Sequence, residues 1–209
     1  MKETTTSRPP LPKLRTERLI LKVVDPKRDA EDVFEWHQNA DTLKWTGQPL
    51  RKHVSETLAA LTVRAEEPDT VTYVMLLPHA PTASHPARLK CIGLVMGNRD
   101  DPEIGYTMNP LFHGRGYMTE ALQAFLPSHF GFVPKSFDYL LALTDVEHKK
   151  SHAVLGRMGF QRGSTIPDEY HSIVLGCDRP SVCWYLPRPG REVPEWVLKG
   201  QPEPGNVRQ

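Results

Sequence analysis

Cysteine is scarce in this sequence. Only Cys91, Cys177 and Cys183 occur among 209 residues. Three thiols cannot all pair, and no two stand in a CxxC, which argues against a disulfide scaffold or a cysteine-rich zinc site. Long apolar runs are missing too. None approaches the roughly 18 to 20 residues a spanning helix needs, so no membrane partner is expected. A charge excess of either sign is also absent: 26 Lys and Arg against 25 Asp and Glu leave a net +1. Without a basic field the chain has no general hold on nucleic acid or an anionic surface. The first residues, Met1 to Thr6, lack the apolar stretch of a secretory signal, and a reducing, cytoplasmic setting is expected.

Several catalytic signatures are lacking. There is no GxxxxGK followed by Ser or Thr, and the sixth position of a GxGxxG reading from Gly114 is Thr119. No GxSxG elbow exists. His148 and His152 have a helical i, i+4 spacing, but Lys149 stands where a zincin needs Glu, so no metal site is expected.

Proline is abundant, at 20 residues. It fixes φ and removes a backbone donor, so its clusters oppose helix and central strand alike. Three clusters imply a flexible N-terminal tail over 1–12, a surface loop from Pro78 to Lys90 and a proline-rich C-terminal tail over 188–209. One domain over 13–187 remains, long enough to bury a core.

Within that domain, strands are predicted over Arg18–Val23, Val71–Leu77, Cys91–Met96, Glu103–Met108, Asp138–Thr144 and Val182–Leu186. Helices are predicted over Ala30–Asn39, Val54–Glu66, Gly116–Leu126 and Ser151–Met158. Asn98 to Pro102 reads as a hairpin turn. Pro127 should end or kink the third helix, and Gly159 should stop the last. This mixture predicts an α+β class, or a mixed sheet with helices on both faces.

The stretch Glu103-Ile104-Gly105-Tyr106-Thr107-Met108-Asn109-Pro110-Leu111-Phe112-His113-Gly114-Arg115-Gly116-Tyr117-Met118-Thr119-Glu120 carries the chemistry. It reads as strand, turn, glycine loop and helix start. Two glycines let the backbone turn tightly. The free N–H groups of a helix's first turn then form an anion site, and Arg115 adds a charge suited to phosphate.

This stretch resembles the diphosphate loop of the GCN5-related N-acetyltransferases, the GNAT superfamily, in its RimJ/RimL-like branch. Two more landmarks follow the same order. Thr16-Glu17-Arg18-Leu19-Ile20-Leu21-Lys22 is similar to the family's first strand. Ser151-His152-Ala153-Val154-Leu155-Gly156-Arg157-Met158-Gly159-Phe160 is similar to its late helix. The resemblance implies a mixed, mostly antiparallel sheet of about six to seven strands, splayed in the middle and flanked by helices on both faces. It implies acetyl-CoA as co-substrate and an amine acceptor, attacked directly, in a monomer or homodimer. An acyl-CoA-binding module of the same fold, weak or inactive in catalysis, is the alternative.

Residue by residue, the resemblance assigns Thr107, Met108, His113, Gly114, Arg115, Gly116, Tyr117, Met118, Thr119 and Ser151 to cofactor binding. Glu103 and His148 are candidate bases, and Tyr106 is a further catalytic candidate. Tyr106, Tyr117, Ser151 or solvent could replace the family's acidic tyrosine, because Leu155 occupies its place. Trp36 and Trp45 either line the acceptor site or belong to the core. His113 departs from the family's Gln or Arg, and His148 from its Asn.

Overall fold

The computed structural model describes residues 10–78 and 89–201. The tail residues 1–9 and 202–209, and residues 79–88 of the surface loop, lie outside the described residues.

Among the described residues, eight strands form two sheets. The first is wholly antiparallel, in the order β1 (Leu14–Arg15), β2 (Ile20–Val23), β3 (Thr70–Leu77), β4 (Lys90–Asn98), β5 (Ile104–Met108). The second runs β6 (Tyr139–Asp145), β8 (Cys177–Pro187), β7 (Gln161–Ser172), also antiparallel. The α+β class stands, with one strand more than the resemblance implied. Two strands are missing from the sequence reading, the two-residue β1 and the longer β7. Strand β7 is an edge strand, largely exposed, with Pro167 and two register breaks, so it carries little apolar alternation.

Strand alternation gives the first sheet two apolar faces. Leu21, Tyr73, Met75, Ile92 and Val95 join a core with α4 (Tyr117–Phe130) and α5 (Lys149–Arg157). Ile20, Val74, Leu76 and Leu94 face the opposite way, toward α1 (Pro26–His37) and α3 (Val54–Glu66). A four-residue helix, α2 (Ala40–Leu43), follows α1.

Helix α1 starts four residues before the expected Ala30, because Asp25 caps it and Pro26 occupies its first turn. Helix α3 has the bounds read from the sequence. Helix α4 passes through Pro127 and ends at Phe130, so the proline does not terminate it. Proline removes the bond that would return to Gln123; both residues are exposed, so water can take the freed carbonyl. Beyond β8, Arg188 donates to the carbonyls of Phe130 at 2.9 Å, Pro134 at 3.0 Å and Phe137 at 3.0 Å. A last short helix, α6 (Glu195–Leu198), follows, and Val193 and Val197 are buried against Cys183 and Tyr185.

Candidate active site

The two sheets meet at one point. Glu103 and Leu141 form a parallel bridge, and the Leu141 N–H donates to the Pro102 carbonyl at 2.9 Å. Beyond it β5 and β6 diverge. Backbone groups of a strand alternate between its two edges. The Asn109 N–H bonds to the Ile92 carbonyl on β4 at 2.9 Å, while the Pro102 carbonyl points to β6. Tyr106 and Met108 therefore turn their backbone groups into the open splay, and Thr107 turns its own toward β4.

The carbonyl of Met108 is taken. His113 Nε2 lies 3.1 Å from it. Desolvation lowers the His113 pKa, so the ring is neutral near pH 7 and holds the carbonyl as an N–H donor. The Met108 N–H is left facing the splay.

The glycine loop follows. The buried Asn109 side chain accepts the Leu111 N–H at 3.1 Å and starts a single 3₁₀ turn over Pro110–Phe112. Gly114 and Gly116 then adopt φ of +76° and +77°, left-handed values that side chains resist. Helix α4 begins at Tyr117, and the N–H groups of its first turn lack intrahelical acceptors. They open on a cavity of about 830 Å³. Met108, Gly114, Gly116, Tyr117, Met118 and Thr119 line it from this side.

The far wall of the cavity is the segment before β2. Glu120 accepts the Thr16 hydroxyl at 2.5 Å, the Arg18 N–H at 2.8 Å and Arg18 Nε at 2.6 Å. Arg18 Nη1 also donates to the Arg115 carbonyl at 2.9 Å, and its guanidinium sits 4.5 Å over the Tyr117 ring. The N-terminal segment is thereby clamped to the loop and to the start of α4. Arg115 itself turns its side chain toward the Phe112 ring.

On the α5 side of the splay, the Tyr106 hydroxyl lies 2.6 Å from the Ser151 hydroxyl. Burial pushes the Tyr106 phenol up to about 12, so it stays protonated and available as a donor. Ser151 is buried, and the Tyr106 side chain reaches it across the core face.

A bare helix N-terminus above a glycine loop, beside two splayed strands, fits a diphosphate with an extended arm. A family model for the GNAT acetyltransferase domain matches residues 18–161. The chain belongs to the GNAT acetyltransferase family. Acetyl-CoA is the acetyl donor of that family, and the chain is accordingly an acyltransferase. The fold is similar to that of a GNAT-family acetyltransferase from Bacillus anthracis: TM-score 0.68, 18% identity, 84% of this chain and 98% of the other covered. RimJ from Mycobacterium smegmatis, solved with a CoA disulfide, gives 0.67 at 16% identity, with 86% and 88% covered. MccE, the microcin C7 self-immunity acetyltransferase solved with acetyl-CoA and AMP, gives 0.66 at 17% identity, with 82% and 93% covered. No curated protein sequence matches the chain.

The remaining sequence-derived residues of this acetyltransferase fall in three places. His148 caps α5 and stacks on Trp45 with centroids 5.6 Å apart. Desolvation, then the neighbouring His152, lowers its pKa to about 4. Lys150 acts electrostatically on His113, His148 and Asp41, so the glycine loop, α2 and the start of α5 converge there. Glu103 sits at the other end of β5. Burial, Asp101 and Glu169 raise its pKa. About three residues of strand, roughly 10 Å, separate it from Tyr106. Trp36 is fully buried with α1, α3 and the sheet, so it is a packing residue and lines no acceptor surface.

Sequence reasoning passed over the clamp. Thr16 and Arg18 were read as part of a strand, and Glu120 as part of a helix start. Their signal was one of chemistry, an Arg and a Glu of opposite charge in two of the motifs that carry the resemblance. Asp145 was passed over as well. It is buried, accepts from Arg179 Nε at 2.8 Å, Arg179 Nη2 at 3.0 Å and Tyr170 at 2.8 Å, and so fixes the loop before His148.

Proposed function

We propose that this protein transfers the acetyl group of acetyl-CoA to a primary amine, with an α-amine such as a protein N-terminus as the acceptor class. The observation that carries the reading is the splay: the backbone edge of Tyr106 and Met108 opens between β5 and β6, continuous with the bare N–H groups of the glycine loop. Acetyl-CoA supplies a thioester carbonyl open to direct attack by an unprotonated amine. The loop N–H groups and the first turn of α4 hold its diphosphate. The Met108 N–H, kept free because His113 occupies only the carbonyl, faces the oxygen on which charge develops. The Tyr106 and Ser151 hydroxyls form a path for the proton that the amine nitrogen gives up and the leaving sulfur takes.

Proton arithmetic narrows the acceptor. A lysine-like amine of pKa about 10.4 costs roughly 4.6 kcal/mol to deprotonate at pH 7, and an α-amine near 7.8 about 1.1 kcal/mol. His148 at about 4 is a weak base. It suits an amine that is already partly unprotonated. The RimJ/RimL-like branch is the finer placement consistent with such an acceptor. Trp45, stacked on His148, belongs to the acceptor side in this reading.

The test compares two peptides with acetyl-CoA at pH 7, one with a free N-terminus and no lysine, the other N-blocked with one lysine. Faster acetylation of the free N-terminus supports the assignment. Faster acetylation of lysine contradicts it.

A further inference from the structure

Lys90, the first residue of β4, buries its side chain against α1. Its Nζ donates to Asp32 Oδ1 at 2.8 Å and to Glu35 Oε1. Asp32 and Glu35 are i, i+3 on α1, so both reach the same ammonium. A buried ammonium is tolerated only when it is paired and hydrogen-bonded. The second oxygens of the two carboxylates reach beyond the lysine. Asp32 Oδ2 accepts the Cys91 N–H at 2.8 Å, within β4. Glu35 Oε2 accepts from Asn109 Nδ2 at 3.2 Å, across 74 residues of sequence.

Asn109 stands between the splayed strand and the glycine loop. Its backbone N–H is tied to Ile92 on β4, and its Oδ1 accepts the Leu111 N–H that opens the 3₁₀ turn. A carboxylate can only accept and a backbone N–H can only donate. The amide therefore has one orientation, Nδ2 to Glu35 and Oδ1 to Leu111. The hold comes from α1, on the face of the sheet opposite α4 and α5. The Arg18 clamp grips the far end of the same loop at the Arg115 carbonyl.

We propose that Glu35 is a positioning residue for the coenzyme loop. From behind the sheet it fixes the Asn109 amide, and through that amide the turn that presents the loop N–H groups to the diphosphate. The inference rests on the acetyl-CoA reading above. Ile92 holds the Asn109 N–H independently of Glu35. Loss of the Glu35 contact thus loosens the turn and leaves β5 in place, so the effect falls on coenzyme affinity rather than on acetyl transfer.

The test is a double-mutant cycle read by calorimetric titration of acetyl-CoA and by steady-state kinetics, with melting temperatures in parallel. Glu35→Gln keeps the shape but leaves one acceptor oxygen for two donors, Lys90 and Asn109. It should weaken acetyl-CoA binding about tenfold, the scale of one hydrogen bond to a charged group. KM for acetyl-CoA should rise with it, and kcat should stay within about twofold. Asn109→Asp sets two carboxylates face to face and should weaken binding at least as much. In the double variant the polarity is exchanged: the new amide on α1 donates to the new carboxylate on the loop, which still accepts the Leu111 N–H. Its affinity should return to within about threefold of wild type. Wild-type affinity in Glu35→Gln would overturn the proposal, whatever the melting temperature does, because the network would then serve packing alone. A double variant that binds more weakly than Glu35→Gln alone would overturn it as well, as would a loss confined to kcat. Failure of the wild type to bind would instead overturn the acetyl-CoA reading beneath it.

Discussion

The hydroxyl of Tyr106, on the splayed strand, lies 2.6 Å from that of Ser151, on the helix behind it. The helix position where the family carries an acidic tyrosine holds Leu155, which is fully buried in the core. In the proposed mechanism a phenol from β5, that of Tyr106, takes that place and meets α5 one turn earlier, at Ser151.

Removing that phenol should affect turnover more than binding. Tyr106→Phe keeps the ring in the core and deletes the donor. Steady-state kinetics should show kcat down by about 100-fold, the lower range for a proton-transfer group, with KM for acetyl-CoA nearly unchanged. Ser151→Ala should fall in the same direction. A Tyr106→Phe enzyme with wild-type kcat would remove the hydroxyl path from the mechanism.

The clamp between Arg18 and Glu120 should matter to both stability and cofactor affinity. The Arg18 side chain is 41% exposed, so solvent screens much of the ion pair. Arg18→Ala should cost about 1 kcal/mol, a drop of roughly 2–4 °C in Tm for a chain of this size. It should also weaken acetyl-CoA binding, because the Arg115 carbonyl loses its tether. Thermal melting and calorimetry measure the two effects separately.

Gly116 is held at φ +77°, and a Cβ there would meet Arg18 Nη2 at 3.5 Å, an ordinary contact. The cost of a side chain is therefore conformational. Gly116→Ala should destabilise the loop by about 1–2 kcal/mol. Gly116→Pro, whose ring forbids that φ, should weaken acetyl-CoA binding further. Titration of both variants should give the order wild type, Ala, Pro.

Acid should unfold the protein through its buried histidines. His129 is 1% exposed and stacked on Phe125, and neither ring nitrogen has a hydrogen-bond partner among the described residues. Burial, then the charge of Arg99, lowers its pKa to about 4. The unfolded chain titrates near 6.5, so the stabilising contribution is complete above that pH and is lost as pH falls toward 4. The scale is roughly 3 kcal/mol at 1.36 kcal/mol per unit. Denaturant unfolding at pH 7.5, 6 and 5 should show a shallower pH slope for His129→Leu than for the wild type. His37, also lowered to about 4, should keep part of the slope.

Local chemistry made much of this fold legible. Helix α3 could be bounded from its residues, and the strand, loop and helix around Gly114 and Gly116 followed from glycine spacing and turn chemistry. What the sequence could not show is contact at a distance. Tyr106 and Ser151 were both singled out, yet 45 residues separate them and only the packing of α5 on the splay joins them. Strand β7 was illegible because an exposed edge strand needs no apolar alternation. Segment 188–201 was obscured by its prolines, although Val193 and Val197 bury against β8. Trp36 was ambiguous because an aromatic near a helix end serves core and surface equally well.

The most direct test of the account is calorimetric titration of acetyl-CoA followed by thiol release in the presence of a free N-terminal peptide. Binding should be micromolar and weakened by Gly116→Pro, and thiol release should require the amine and fall in Tyr106→Phe. Binding without amine-dependent release would contradict the catalytic reading, and no binding at all would contradict the reading of the glycine loop on which it stands.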